Sequence, residues 1–306
     1  MTAELLTRAS SAWQDLAAQT GPLWNEWRRL WDSLDTDERD PATHPAWQSA
    51  WLALHRDSVR DIRVAVCRTA DDLLALIPLE VVSAGAGRRS RCTLVVPDEV
   101  PLEGASLAVR RDDLPRVLDA LLRTPVDRRT ASMIEFARVD ATHSLVTQQG
   151  LTCRVEAAGT RSVIDLPANP ADLWAALGSN LCGNLRKARN KWNKLPGARI
   201  DALTSEQQLA SALARLADVE SRSWKAEHGT DLASDAAIRQ FFAGALPLLA
   251  SEGRAVSHVL VADGRDIGAH LALQIGNELL VHKIAFDADY KDCAPGNLLL
   301  QHLLDD

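Results

Sequence analysis

The stretch AVSHVLVADGRDIGAHLALQIGNELLVHKIAFDADYKDCAPGNLLL (255–300) decides the fold. Its first 33 residues are three runs rich in β-branched and apolar residues. They are separated by Asp263–Gly264 and Gly276–Asn277, pairs that suit tight hairpin turns with positive φ. A three-strand antiparallel meander is predicted. After the last strand comes a short loop, then Pro295–Gly296 and an apolar helix. Proline fits the first turn of a helix, and Gly296 allows close approach to the backbone. The N–H groups of Gly296, Asn297 and Leu298 are expected to point outward and, with the helix dipole, to hold an anion such as a phosphate or pyrophosphate. An ordinary proline-capped helix fits the same residues. Neither GxxxxGK[ST] nor GxGxxG is present.

Working backward, VESRSWKAEHGT (219–230) closes a helix expected over about 205–227. In such a helix Glu220, Trp224 and Glu227 share a face. A carboxylate beside an indole is a candidate base, although Glu220 in an exposed ion pair and Trp224 in the core fit equally. His228 at the helix end can complement its dipole. A second helix, SNLCGNLRKARNKWNKL (179–195), carries Arg186, Lys187, Arg189, Lys191 and Lys194 and no acid, and Pro196–Gly197 stops it. Contact with a phosphate-bearing ligand or a solvated face both account for such a run.

The N-terminal half reads differently. Six of the nine tryptophans precede residue 52. Trp24, Trp27 and Trp31 fall on one helix face, and Trp47, Trp51 and Leu54 repeat the pattern, as expected of helices packed on a sheet or, alternatively, lining a groove. Strands are expected in IRVAVCRTADDLLALIPLEVVSAG (62–85) around Asp71–Asp72, in 92–96 and in 132–139, with a helix over 112–123 and a connector over 83–89. VAVCRTADDLLALIPLEV and VLVADGRDIGAHLALQI share strand, acidic turn and strand, a weak internal similarity.

Composition narrows the classes. With 306 residues, 46% hydrophobic and 25% charged, the chain is an ordinary soluble protein, long enough for two domains, expected at 1–159 and 160–306. A net charge of −7 disfavours a broadly basic nucleic-acid binder. No apolar run approaches the roughly 18 residues of a membrane helix, so no insertion is expected. The N-terminus lacks signal-peptide character. The five cysteines are scattered, which reads as reduced thiols in a cytoplasmic protein, and none has zinc-ligand spacing with histidine, so no metal is expected.

The ordered set of NLRKARNKWNKL, ESRSWKAEHGT, a strand pair around an acidic turn, and D-x-x-Y-x-x-x-x-PG-x-x-L (Asp287, Tyr290, Pro295, Gly296, Leu299) resembles acyltransferases of the GNAT superfamily, in the FemAB-like group often labelled CelD-like, a cellulose-biosynthesis type. LWNEWRRLWDSL, HPAWQSAWL and LLALIPLEV also look like that group, so the resemblance spans about residues 20–306. It implies an α/β (α+β) fold of tandem GNAT-like units, with mixed, mostly antiparallel sheets flanked by helices. The first unit would be degenerate and the second would carry the site. It implies an N-acyltransferase using acyl-CoA, acetyl or longer, and a small-molecule amine acceptor on a sugar, amino acid or envelope precursor, in exopolysaccharide or other polysaccharide biosynthesis. An aminoacyl-tRNA-dependent FemAB-like transferase and a non-catalytic accessory protein are the alternatives.

The resemblance places the acyl-CoA pyrophosphate on the loop Cys293, Ala294, Pro295, Gly296, Asn297 and Leu298. It places the thioester along Ile284, Ala285 and Phe286. Arg186, Arg189, Trp224 and Lys225 become substrate-binding candidates, and Glu220 and Tyr290 catalytic candidates. Glu220 would be the base. Tyr290 precedes the pyrophosphate loop, so protonating the leaving thiolate does not carry over to it. It is expected to anchor the loop through its hydroxyl or to face the acceptor. Two departures stand out. Cys293–Ala294 occupies the place where the group more typically has serine before Pro-Gly. The group also continues past this helix into another strand-containing segment, so the second sheet is expected to be incomplete, with an exposed edge.

Overall fold

The computed structural model describes residues 1–84, 91–96, 107–127, 129–136, 162–229 and 231–305, with 152, 154 and 156. The chain divides into two compact units, Met1–Gly159 with Ile275–Asn277, and Thr160–Gln274 with Glu278–Asp306. Most of the expected connector over 83–89, and the part of the 132–139 strand beyond Phe136, lie outside the described residues.

In the first unit β1 (Thr2–Thr7) leads into α1 (Ser11–Ala17), α2 (Gly21–Asp32) and α3 (Pro45–Leu54). Strands β2 (Ile62–Arg68), β3 (Leu73–Ala84) and β4 (Arg91–Val96) follow, then α4 (Leu114–Arg123), a small hairpin of β5 (Pro125–Val126) and β6 (Arg129–Thr130), and β7 (Met133–Phe136). The sheet order is β1-β2-β3-β4-β7; the pairs are antiparallel except the parallel β4–β7 pair. β1 was not foreseen: TAELLT is short and half-buried, with no turn signal after it. Trp24, Trp27, Trp31, Trp47 and Trp51 are all buried, so the groove reading gives way to packing. The cavity beside Trp27 is about 10 Å³, room for no more than a water molecule.

The second unit opens with α5 (Pro170–Ala176) and the basic helix α6 (Ser179–Trp192), then β8 (Arg199–Leu203) and α7 (Glu206–Glu220). A short α8 (Trp224–Glu227) and α9 (Ala236–Ser251) lead to the meander, β9 (Ala255–Ala262), β10 (Arg265–Ile275) and β11 (Glu278–Phe286). A 3-10 turn, Ala288–Cys293, and α10 (Pro295–Asp305) complete it. The sheet order is β11-β10-β9-β8, so β11 is an edge strand. Asp263, Gly264 and Gly276 all have positive φ, as the two hairpin turns require.

Helices α6 and α10 cover one face of this sheet. Ala188 and Trp192 from α6 and Leu298 and Leu299 from α10 pack with Leu260, Ala262, Ile267 and Cys293. Gly268 makes that packing possible. A Cβ there would sit 3.0 Å from Pro295 Cβ and 3.2 Å from Leu299 Cδ1, so only glycine lets α10 lie this close to β10. α7 and α9 pack on each other and on β9. Among the described residues no helix is long and apolar enough to cross a membrane.

The helix expected over 205–227 is two helices. Ser223 breaks it: its hydroxyl donates to the Glu220 carbonyl at 2.8 Å and accepts from the Lys225 N–H at 3.2 Å, ending α7 and capping α8. Glu220 and Trp224 therefore do not share a continuous helix face, and the Glu227 side chain lies outside the described residues.

Candidate active site at the β11–α10 corner

The D-x-x-Y stretch fixes the corner. Asp287 is buried; its Oδ2 accepts from Arg222 Nε at 2.7 Å and from Arg265 Nη2 at 2.9 Å, while its Oδ1 accepts from the Asp289 N–H. A buried carboxylate is stable here because it is paired twice and hydrogen-bonded to backbone. Arg222 is itself tied to the Asp266 carbonyl at 2.7 Å, and its own carbonyl accepts from the Ala288 N–H. Tyr290 donates its hydroxyl to Asp263 at 2.8 Å, with the Arg265 guanidinium 5.0 Å from its ring centre. The 3-10 turn is thereby clamped to the β9–β10 hairpin. Partial burial, then the bond to Asp263, holds the phenol above its ordinary range.

The turn ends at Ala294 in the left-handed region, φ 44°, which costs a residue with a Cβ about 1 kcal/mol. Cys293, ahead of it, is buried, and burial raises its thiol pKa. The predicted trio of outward N–H groups is corrected here. The N–H groups of Asn297 and Leu298 both donate to the Ala294 carbonyl, at 3.0 and 3.1 Å. No backbone acceptor is found for the Gly296 N–H among the described residues. Gly296 has neither a positive φ nor a tight contact; a Cβ there would touch Ile284 Cδ1 at 3.7 Å and Phe286 Cδ1 at 3.8 Å. The fold does not need glycine at 296, and its missing side chain leaves a bare patch beside Ile284 and Phe286.

β11 supplies the other wall. The Asp287 N–H donates to Ile267 across the sheet, so Ala285 and Asp287 point their backbone groups toward β10, and Ile284 and Phe286 point theirs outward. The Ile284 carbonyl is held by Lys225, whose Nζ lies 2.9 Å away. The same ammonium is 2.8 Å from Glu220 Oε1, and Glu220 Oε2 accepts from the Leu232 N–H at 2.7 Å. Glu220 has no exposed surface. This argues against its expected role as base: both oxygens are engaged, and the carboxylate is shut off from solvent.

The corner thus gathers Ile284, Phe286, Gly296, Lys225 and Glu220. Ala285 is buried and turned toward β10. Trp224 is exposed and packs its ring edge-on against His228, centroids 5.6 Å apart. Arg186 and Arg189 do not join the corner. They line a cleft of about 210 Å³ with Trp174, Cys182, Leu185 and Gln301, where Trp174 Nε1 donates to Asp305 at 2.7 Å. Sequence reasoning missed Lys225 as an anchor of β11, because nothing in a charge pattern tells a half-buried, paired lysine from a solvated one.

Residues 179–306 match the family described as Acetyltransferase (GNAT) domain. The matched segment holds α6, the four-stranded sheet and the corner. Among solved structures, the crystal structure of FemX is similar, with a TM-score of 0.55 and 10% sequence identity, covering 92% of this chain and 83% of that one. At that identity the likeness is one of fold, and it extends to both units. No curated protein matches the chain.

Proposed function

We propose that the second unit is a GNAT-type N-acyltransferase that passes an acyl group from acyl-CoA to a primary amine. The observation that carries this reading is the bare patch at Gly296, at the start of α10 and beside the outward edge of β11, within the segment that matches the GNAT domain. A helix start with an unengaged N–H suits a pyrophosphate. An edge strand with outward backbone groups can hold an extended pantetheine arm by strand-like hydrogen bonds. Ile284, Phe286, Gly296 and Asn297 would form the donor wall, while Leu298, expected there from the sequence, faces the core instead. Lys225 and Glu220 would keep β11 in position. The reaction forms a C–N bond and breaks the thioester C–S bond; the amine gives up a proton and the leaving thiolate gains one.

The test is a thermal shift with acetyl-CoA and a long-chain acyl-CoA, with ADP as control, followed by an assay of free thiol release in the presence of primary amines. A ligand at about 100 times its Kd adds ~2.7 kcal/mol of stability. An acyl-CoA shift that vanishes in Gly296→Glu, while the variant stays folded, supports the reading. No shift with either donor in folded protein overturns it.

A second reading, an aminoacyl-tRNA donor, is favoured by α6, where Arg186, Lys187, Arg189 and Lys191 are exposed. It requires RNA binding that weakens steeply with salt. A gel-shift series in rising salt separates it from the first.

A further inference from the structure

With Glu220 sealed behind Lys225, the proton of the acceptor amine needs another destination. The residue the fold offers is His228, at the end of α8. Three observations converge on it. First, α8 is riveted to the outward side of β11, because Lys225 reaches the Ile284 carbonyl from the middle of that single helical turn. The His228 N–H in turn donates to the Lys225 carbonyl at 3.1 Å, so the imidazole stands less than one turn from the anchor. Second, His228 Nδ1 lies 2.9 Å from the Trp224 carbonyl oxygen. A carbonyl oxygen only accepts, so Nδ1 carries the hydrogen. In the neutral ring the lone pair then sits on Nε2, the arrangement by which a backbone carbonyl fixes a histidine tautomer for proton transfer. Third, His228 is exposed and stands edge-on to the Trp224 indole, which is 56% exposed, an unusual state for tryptophan.

The other histidines of the sheet do not compete: His282 on β11 is buried, its ring edge-on to Phe242 of α9 with centroids 5.4 Å apart. His258, His270 and His302 form a cluster between β9, β10 and α10, with His258 and His270 buried and 2.9 Å apart. They face the core beneath α10.

We propose that His228 is the catalytic base of the transfer, and that Trp224 receives the acceptor as a primary ammonium on its indole face. This rests on the acyltransferase reading above. An ammonium is drawn to an exposed indole by cation–π attraction. His228 Nε2 takes its first proton and hands it to water, leaving a neutral amine. The amine nitrogen attacks the thioester carbonyl carbon and the C–N bond forms. The C–S bond breaks, and the second N–H proton ends on the thiolate of CoA. The products are an amide, CoA thiol and one proton in solvent.

The experiment uses the full chain, acetyl-CoA and a panel of glucosamine, lysine and cadaverine, reading free thiol release. His228→Ala is expected to lower kcat/KM by about a hundredfold or more, within the range of a lost general base. Its acetyl-CoA thermal shift should equal that of the wild type, and added imidazole should restore part of the rate. Trp224→Ala should raise the amine KM and leave the acetyl-CoA shift alone. Wild-type protein that releases no thiol with any amine overturns the acyltransferase reading. Wild-type transfer with His228→Ala within threefold of it, or a His228→Ala protein that has lost the acetyl-CoA shift, overturns the base assignment and leaves that reading standing.

Discussion

Lys225 donates to the Ile284 carbonyl at 2.9 Å and so joins α8 to the outward side of β11. The lysine can do this only because Glu220, fully buried, neutralises it at 2.8 Å. Removing one partner leaves the other charge stranded. Lys225→Met is expected to cost about 3–5 kcal/mol in urea unfolding, the usual penalty for an orphaned buried charge. The double variant Glu220→Gln with Lys225→Met should recover part of that loss. Strictly additive losses in the two single variants would mean that the pair does not act as a unit.

Tyr290 is the only tyrosine in the chain, so its ionisation can be followed alone in difference absorbance near the phenolate band. Partial burial, then the bond to Asp263, raises its pKa above the ordinary 10.0. The folded state therefore holds its proton where the unfolded chain releases it. The clamp's contribution is present below pH 10 and is lost as pH rises through the folded value. Asp263→Asn should bring the titration back toward 10. Tyr290→Phe should cost about 0.5–1.5 kcal/mol, the worth of one hydrogen bond, with little change in kcat. A thousandfold loss of kcat at unchanged KM would give Tyr290 a chemical role that its bond to Asp263 does not suggest.

The meander and the corner were legible because their signals are local. Asp263–Gly264 and Gly276–Asn277 announce hairpins through residues that tolerate positive φ, and Pro295 announces a helix start. β1 and β8 carry little alternation and lie at the margins of their sheets, so tertiary pairing alone makes them strands. The break between α7 and α8 was hidden because Ser221 and Ser223 read as tolerable helix residues. Only the pairing of Ser223 with Glu220 and Lys225 turns one of them into a boundary. The burial of Glu220 was illegible for the same reason: its partners lie 5, 12 and, through Lys225, 64 residues away. The cations of α6 were legible as a run, but the placing of Arg186 and Arg189 in a separate cleft was not.

Gly268 and Gly296 make opposite predictions. A Cβ at 268 collides with Pro295 and Leu299 at 3.0 and 3.2 Å, and α10 must move. Gly268→Ala should cost about 1–3 kcal/mol, the range for overpacking a filled site. At 296 the nearest atoms are 3.7 Å away, an ordinary contact. Gly296→Ala should leave the unfolding midpoint unchanged or slightly raised, as alanine is the better helix residue. If the patch holds the donor, the same variant weakens the acetyl-CoA thermal shift. Equal destabilisation by both variants would show that Gly296 is structural.

His270 gives the second unit an acid limit. It is fully buried, with Nε2 2.9 Å from His258 Nδ1 and no hydrogen-bond partner at Nδ1 among the described residues. Burial, then the neighbouring His258 and His302, pushes its pKa from 6.5 down to about 3. The unfolded chain takes up a proton near pH 6.5, whereas the folded protein refuses it until about pH 3. Between those values the unfolded state binds more protons, so stability falls as pH falls, by up to about 1.4 kcal/mol per pH unit. The effect is cleanest between pH 6.5 and 5, above the range where most carboxylates titrate. His270→Phe keeps a ring in the site and removes the proton acceptor. Urea midpoints measured at pH 7, 6 and 5 should decline in the wild type and flatten in the variant. An undiminished decline in His270→Phe would move the acid sensitivity to another group and leave His270 a packing residue only.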